Sequence, residues 1–202
     1  MISARFYMLK RIIKDFMRLS DKPTYDHHGR TMTYCWHICQ NCKGTYNLSD
    51  EYCHIVPIYA TFHDIGKIAI HDDILHKPDA LTKTEMDLVR QHPKIGLDLV
   101  RKIRNYHGDD YITNFDILEN IVAQHHERLD GSGYPFGLKG NEISVEAQIV
   151  MVADAFDAMT SVRPYQPIPL TKDQALSELY DEVSNNRMNE DFVDALASVE
   201  EY

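Results

Sequence analysis

Between residues 131 and 140 the chain places Gly131, Gly133, Gly137 and Gly140 around Pro135, and no helix survives that density of breakers. On either side the apolar spacing is helical, through Ile117, Leu118, Ile121 and Val122 before the breakers and through Val150, Met151, Val152 and Ala153 after them. The segment must therefore fold as two buried helices joined by an irregular loop. The first of these helices runs out at His125-His126. Adjacent imidazoles at the edge of a core are costly unless a metal or a hydrogen-bond partner satisfies them, so the pattern asks for a metal centre.

The rest of the chain reads almost entirely as helix. At 202 residues it can bury one good-sized core, and no stretch in its middle reads as a linker. Helices are predicted over about 25–44, 49–63, 83–91, 93–105, 115–127, 145–160, 171–186 and 189–200. Thr82-x-x-Glu85 and Thr171-x-x-Gln174 are capping boxes, and Pro93 suits a first helical turn. The polar stretch Asn105 to Asn114 predicts a loop tip, and the glycine segment leaves room for one short hairpin. No other run alternates in the manner of a strand, so the expected class is all-α, a helical bundle with an extended loop between two core helices.

Residues 2–19 carry an amphipathic stripe, Ile2, Phe6, Leu9, Ile12, Ile13, Phe16 and Met17, interleaved with Lys and Arg. This N-terminal helix is expected to pack on the main domain, residues 20–202; a connection to a sensor domain or a homodimer contact is the other reading. No apolar run approaches the length of a membrane span, and the start lacks the pattern of a secretory signal, so a cytoplasmic setting is expected. A formal charge of −10 argues against a DNA-binding surface. Divalent cations in one cleft would invert the local field, which keeps a small anionic ligand in play.

Cys35, Cys39 and Cys42 have a spacing that in a loop would suit an iron–sulfur cluster. In a helix the same spacing lines one face, and with Cys53 these residues read as core thiols of a reducing compartment, neither cluster ligands nor disulfides. His37, His54, His71 and His76 stand outside any cluster and read as surface or structural histidines.

His63 and Asp64 close the apolar run Ile58-Tyr59-Ala60-Thr61-Phe62, so a buried helix is expected to deliver them side by side. A carboxylate bridges two cations readily while an imidazole binds one. Gly66 is expected to break that helix and turn Lys67 back, where an ammonium meets a phosphate oxygen. Asp154 and Asp157 lie one turn apart in an otherwise apolar helix, where an unpaired carboxylate costs several kcal/mol. Metal coordination removes that cost, and so do salt bridges to arginines.

His27, His63-Asp64 and Asp154 resemble the H…HD…D signature of the HD superfamily of metal-dependent phosphohydrolases. HDIGK at 63–67, Lys77-Pro78, His92-Pro93-x-x-Gly96, HHERLDGSGYPFGLKG at 125–140 and ADAFDAMTSVRPY at 153–165 are similar, in that order, to the HD-GYP family. The resemblance implies an HD-domain bundle acting as a phosphodiesterase on cyclic di-GMP, with two divalent metals, iron or manganese. One metal would take His27, His63, Asp64 and Asp154; the other would share Asp64 and take His92, His125 and His126. His27 is preferred to His28 because His27-x-x-Arg30 matches the family's His-x-x-Arg. Lys67 would hold the scissile phosphate, beside a bridging water activated between the metals. Tyr134 and Arg163 would contact the nucleotide, with Gly131 and Gly133 giving the loop room. The product would be linear pGpG, and a second cut would give GMP.

Two positions depart from the family pattern. Pro23 stands where members with three metals carry a Glu one turn before the first ligand His, so a third metal is disfavoured. Gln166 stands where a basic residue near the substrate phosphate is usual, which predicts weakened turnover. Alternative readings are the same chemistry on cyclic GMP-AMP, or a weakly active receptor that binds the nucleotide or a diguanylate cyclase (GGDEF) domain through its Tyr-Pro loop.

Overall fold

The glycine segment does separate two buried helices, and the molecule is built around the second of them. The computed structural model describes residues 22–107, 114–162 and 168–199. The N-terminal stripe at 2–19, Arg163 and Gln166 lie outside the described residues. Helix α1 (Lys22–Cys42) is followed by α2 (Asp50–Ala60), a 3-10 turn (Ile65–Ala69), the single turn α3 (Asp72–Leu75) and α4 (Lys83–Val89). Then come α5 (His92–His107), α6 (Phe115–Gln124), α7 (Val145–Thr160), α8 (Lys172–Ser184) and α9 (Glu190–Ala197). Among the described residues no strand forms and no helix is long and apolar enough to cross a membrane, so the fold is all-α.

Helix α7 is buried almost continuously from Glu146 to Ala153 and again at Phe156 and Asp157. Helices α1, α6, α8 and α9 pack around it, and α2 packs against α1 and α6. Burial explains why α1 is helical despite its many polar residues: His28, Thr31, Tyr34, Cys35, Ile38, Cys39 and Cys42 recur every three or four residues and face inward. All four cysteines are free and buried in this core, and the Cys53 thiol donates to the Cys39 carbonyl. The helical periodicity, not the C-x3-C-x2-C spacing, decides their role.

Start signals act as their residue types dictate. Ser49, Thr82, Ser144, Thr171 and Asn189 each accept a first-turn amide, and Thr82–Glu85 and Thr171–Gln174 close both halves of their capping boxes. Pro93 sits in the first turn of α5, where its missing N–H costs nothing.

Three expectations are corrected. The first residues of the predicted loop tip at 105–114 belong instead to α5, which continues through His107. Helix α2 stops at Ala60, short of His63: the amides of Phe62, His63 and Ile65 bond three residues back, tightening the chain into a turn. Gly66 does not break a helix either. It lies inside the 3-10 turn, where a Cβ would stand 1.9 Å from the His92 carbonyl oxygen and 2.6 Å from the Gly96 nitrogen. Glycine is needed so that the HD turn can lie directly on α5.

The predicted hairpin is also absent from residues 127–144, and Glu127 supplies the reason. This fully buried carboxylate accepts from the Phe136 amide at 2.7 Å and the Leu138 amide at 3.0 Å, taking donors that a strand ladder would need. Gly133 folds so closely over it that a Cβ would meet Glu127 Cα at 2.4 Å, so this glycine serves closure of the loop on itself. Replacing Glu127 with Ala strands two amides, and loss of charged hydrogen bonds costs about 2–3 kcal/mol. The expected result is a thermal midpoint lower by roughly 4–12 °C for a domain of this size; calorimetry showing no change would contradict the clamp.

Candidate metal centre

Five elements converge on one cleft. The flank of α1 brings His27, the HD turn brings His63 and Asp64, and the first residue of α5 is His92. The C-cap of α6 is His125, followed by His126, and α7 contributes Asp154. Ligand atoms of His27, His63 and Asp64 lie within 4.8 Å of one another, and so do those of Asp64, His92, His125 and His126. Asp64 belongs to both groups, and its two oxygens divide between them. Oδ1 is 3.1 Å from His92 Nε2 and 3.9 Å from His125 Nε2, whereas Oδ2 is 3.3 Å from His63 Nε2 and 2.5 Å from Lys67 Nζ. Asp154 Oδ1 stands 3.6 Å from His27 Nε2 and 3.7 Å from His63 Nε2, completing the first group. His28, the neighbour of His27, belongs to neither group; nor do His37, His54, His71 and His76.

The donors pass a test of fit for cations. The Nδ1 atoms of His63, His92 and His125 face the carbonyls of Ala60, Val89 and Ile121 at 2.7, 2.8 and 3.0 Å, and His27 Nδ1 faces Asp157 Oδ2 at 2.7 Å. An acceptor opposite Nδ1 keeps the proton there, which turns an Nε2 lone pair into the cleft. Yet Nε2 of His27 is 3.3 Å from Nε2 of His63, and Nε2 of His92 is 3.3 Å from Nε2 of His125. Lone pairs at that separation repel unless a positive charge is shared between them. Imidazole nitrogens with two carboxylates form a borderline donor set that suits first-row divalent ions.

The electrostatics agree. Burial, then the charges of His63 and His92, lowers the His125 pKa to about 3, and burial first of all lowers that of His126, so both are neutral and ready to ligate. Burial opposes charge on His63 too, but Asp64 and Asp154 outweigh it and raise its pKa to about 9. Both carboxylates stay ionised despite burial, Asp64 through Lys67 and His63, Asp154 through His63 and His27. Positive charge is favoured between them.

Asp154 and Asp157 divide the two roles open to them in the sequence. Asp154 faces the histidines, while Asp157, fully buried, takes Arg30 Nε at 2.5 Å and orients His27. Asp157→Asn is expected to weaken metal binding by about 10- to 100-fold, as loss of a ligand-orienting partner does. Titration of the metal-free protein with Mn2+ checks this, and equal affinity for variant and wild type would refute the orienting role.

The Tyr134 ring stacks on His126 at 4.7 Å between centroids and joins the glycine loop to the second group. Gly131 adopts a positive φ of 84°, where a Cβ would collide with the Lys139 side chain at 2.4 Å. Glu127, Arg90 and the orienting part of Asp157 were not assigned from sequence. The signal for Asp157 is its position one turn after Asp154; for Glu127 it is a carboxylate directly after two histidines in a run that should be buried.

The HD domain family model matches residues 9–191, and the chain belongs to that family, in its HD-GYP branch. The chain is 46% identical over 133 residues to the cyclic di-GMP phosphodiesterase response regulator RpfG of Xanthomonas campestris, covering 66% of this chain and 33% of the relative. A cyclic di-GMP phosphodiesterase of Thermotoga maritima is 35% identical over 95% of this chain and 50% of its own length. A 3'3'-cGAMP-specific phosphodiesterase of Vibrio cholerae is 33% identical over 70% of this chain and 26% of its own. The chain thus spans half or less of the length of these curated relatives.

Proposed function

We propose that this chain is a metal-dependent phosphodiesterase that opens cyclic di-GMP to linear pGpG. The observation that carries the reading is the Asp64 carboxylate, whose oxygens face two separate groups of imidazole nitrogens. Relatives named as cyclic di-GMP phosphodiesterases supply the substrate class.

His27, His63, Asp64 and Asp154 would hold one divalent cation, and Asp64, His92, His125 and His126 a second. Such a pair supplies a nucleophile at neutral pH and neutralises charge building on the phosphoryl oxygens. The chain's own groups do the remaining work. Lys67, a third exposed beside Asp64, offers an ammonium where a phosphoryl oxygen would enter. Tyr134, held against His126 by stacking, is assigned a contact with the nucleotide. Gly131 and Gly133 keep the loop low enough for the nucleotide to reach that ring, and Arg163 is assigned a further nucleotide contact.

Iron and manganese are the ions we expect, in a ratio of two per chain, because Pro23 offers no carboxylate for a third. Anaerobic loading followed by elemental analysis checks the ratio; three fully occupied sites would contradict it. The four free thiols accord with a reducing, cytoplasmic setting.

The Vibrio relative makes 3'3'-cGAMP a second candidate substrate. Side-by-side turnover of both nucleotides by the metal-loaded protein decides between them. The expected result is a larger kcat/KM for cyclic di-GMP, and a preference for cGAMP would reverse the assignment.

A further inference from the structure

Arg90, the C-cap of α4, and Lys94, in the first turn of α5, stand four residues apart on either side of the buried ligand His92. Both are exposed. Each lies over an aromatic ring of the glycine loop: the Arg90 guanidinium is 5.5 Å from the centroid of Tyr134, and Lys94 Nζ is 5.7 Å from that of Phe136. Among the described residues every arginine except Arg90 has a carboxylate partner, whereas the lysines are divided between paired and unpaired. Arg30, Lys43, Lys67, Lys77, Arg101, Arg104, Arg128 and Arg187 all have carboxylate partners. Among the described residues no carboxylate lies within ion-pair distance of Arg90 or Lys94. Two uncompensated cations are thus held on ring faces at the rim of the cleft. The Tyr134 ring that carries Arg90 is itself stacked on His126, so one ring separates that guanidinium from the second histidine group.

A ring face attracts a cation without neutralising it, which leaves both heads able to meet an anion. A cyclic dinucleotide has two phosphates. If one is cut at the Asp64 centre with Lys67 beside it, the other needs a separate positive contact. We infer that Arg90 and Lys94 form a second phosphate subsite, which holds the uncut phosphodiester of a two-phosphate ligand and sets its register over the metal groups. This assignment rests on the proposed cyclic dinucleotide reading. A guanidinium fork can meet two phosphate oxygens at once, and Lys94 adds a point charge.

The test compares wild type with Arg90→Ala, Lys94→Ala and the double variant on two substrates, cyclic di-GMP and bis(p-nitrophenyl) phosphate. The latter offers a single phosphodiester. The subsite predicts that the double variant loses at least about tenfold in the ratio of kcat/KM for cyclic di-GMP over the single-phosphate ester, the size expected for lost charged hydrogen bonds. The loss should lie in KM, with a shallower dependence of KM on salt, and Arg90→Lys should recover part of it. Equilibrium binding of cyclic di-GMP to metal-free and metal-loaded protein gives the same comparison without turnover. Proportional losses on both substrates would mean that the cations only brace the loop, and the inference would fall. Wild type that binds cyclic di-GMP without cutting it would overturn the catalytic reading alone, whereas equal affinities in wild type and double variant would overturn the subsite alone. Absence of nucleotide binding in wild type would overturn both.

Discussion

Asp64→Ala is expected to abolish phosphodiester hydrolysis, with kcat down at least about a thousandfold, or roughly 4 kcal/mol in the barrier. The magnitude follows from the division of one carboxylate between two sites. Oδ1 faces His92 and His125 while Oδ2 faces His63 and Lys67, so a single truncation takes a ligand from each group and frees the ammonium. It also leaves the converging imidazoles with less negative charge to hold a cation. Fold stability should change less than activity, because the carboxylate is not part of the α1–α7 core. Elemental analysis of the purified variant should find both metals depleted. Retention of two metals with wild-type kcat would mean that Asp64 bridges nothing.

Gly66→Ala carries the second large effect, and it works through packing alone. The added methyl would meet the backbone of α5, 1.9 Å from the His92 carbonyl oxygen, and neither backbone can rotate away as a side chain would. Overpacking of this kind costs about 3 kcal/mol or more. A thermal midpoint lower by at least roughly 6–12 °C is expected for a domain of this size. The displaced turn carries Asp64 and its neighbour His63, while the displaced helix carries His92, so metal affinity should fall with stability. A variant of wild-type midpoint and full metal content would show that the close approach of the HD turn to α5 is dispensable.

These two residues mark how far the sequence alone reaches. Asp64 was legible because a carboxylate beside a histidine at the end of an apolar run is costly to bury unless a cation compensates it. The division of its oxygens was not, since it depends on where α5 and α6 place His92 and His125. Gly66 was read as a breaker because local propensity offers that meaning first; its true constraint is a contact with residues nearly thirty positions away. The helices were legible in their spacing and caps, and α7 is reproduced from Val145 to Thr160. The hairpin expectation failed because Glu127 takes the Phe136 and Leu138 amides, a use of a charged side chain that no alternation pattern signals. Asp157 was visible as a buried acid, yet only the fold pairs it with Arg30 and His27 and leaves Asp154 to the cleft.

Arg90 and Lys94 had no signal of their own in the sequence. Their meaning depends on the aromatic rings that the glycine loop folds beneath them and on the carboxylates that partner the other described arginines.

The central claim is that two cation sites sharing Asp64 cut a cyclic dinucleotide. Its most direct test is a single-turnover reaction of anaerobically metal-loaded protein, in excess over cyclic di-GMP, with products separated by chromatography and metals counted in the same sample. Two metals per chain and conversion of the bound nucleotide to linear pGpG is the predicted result. Full metal occupancy with nucleotide bound but no linear product would contradict it.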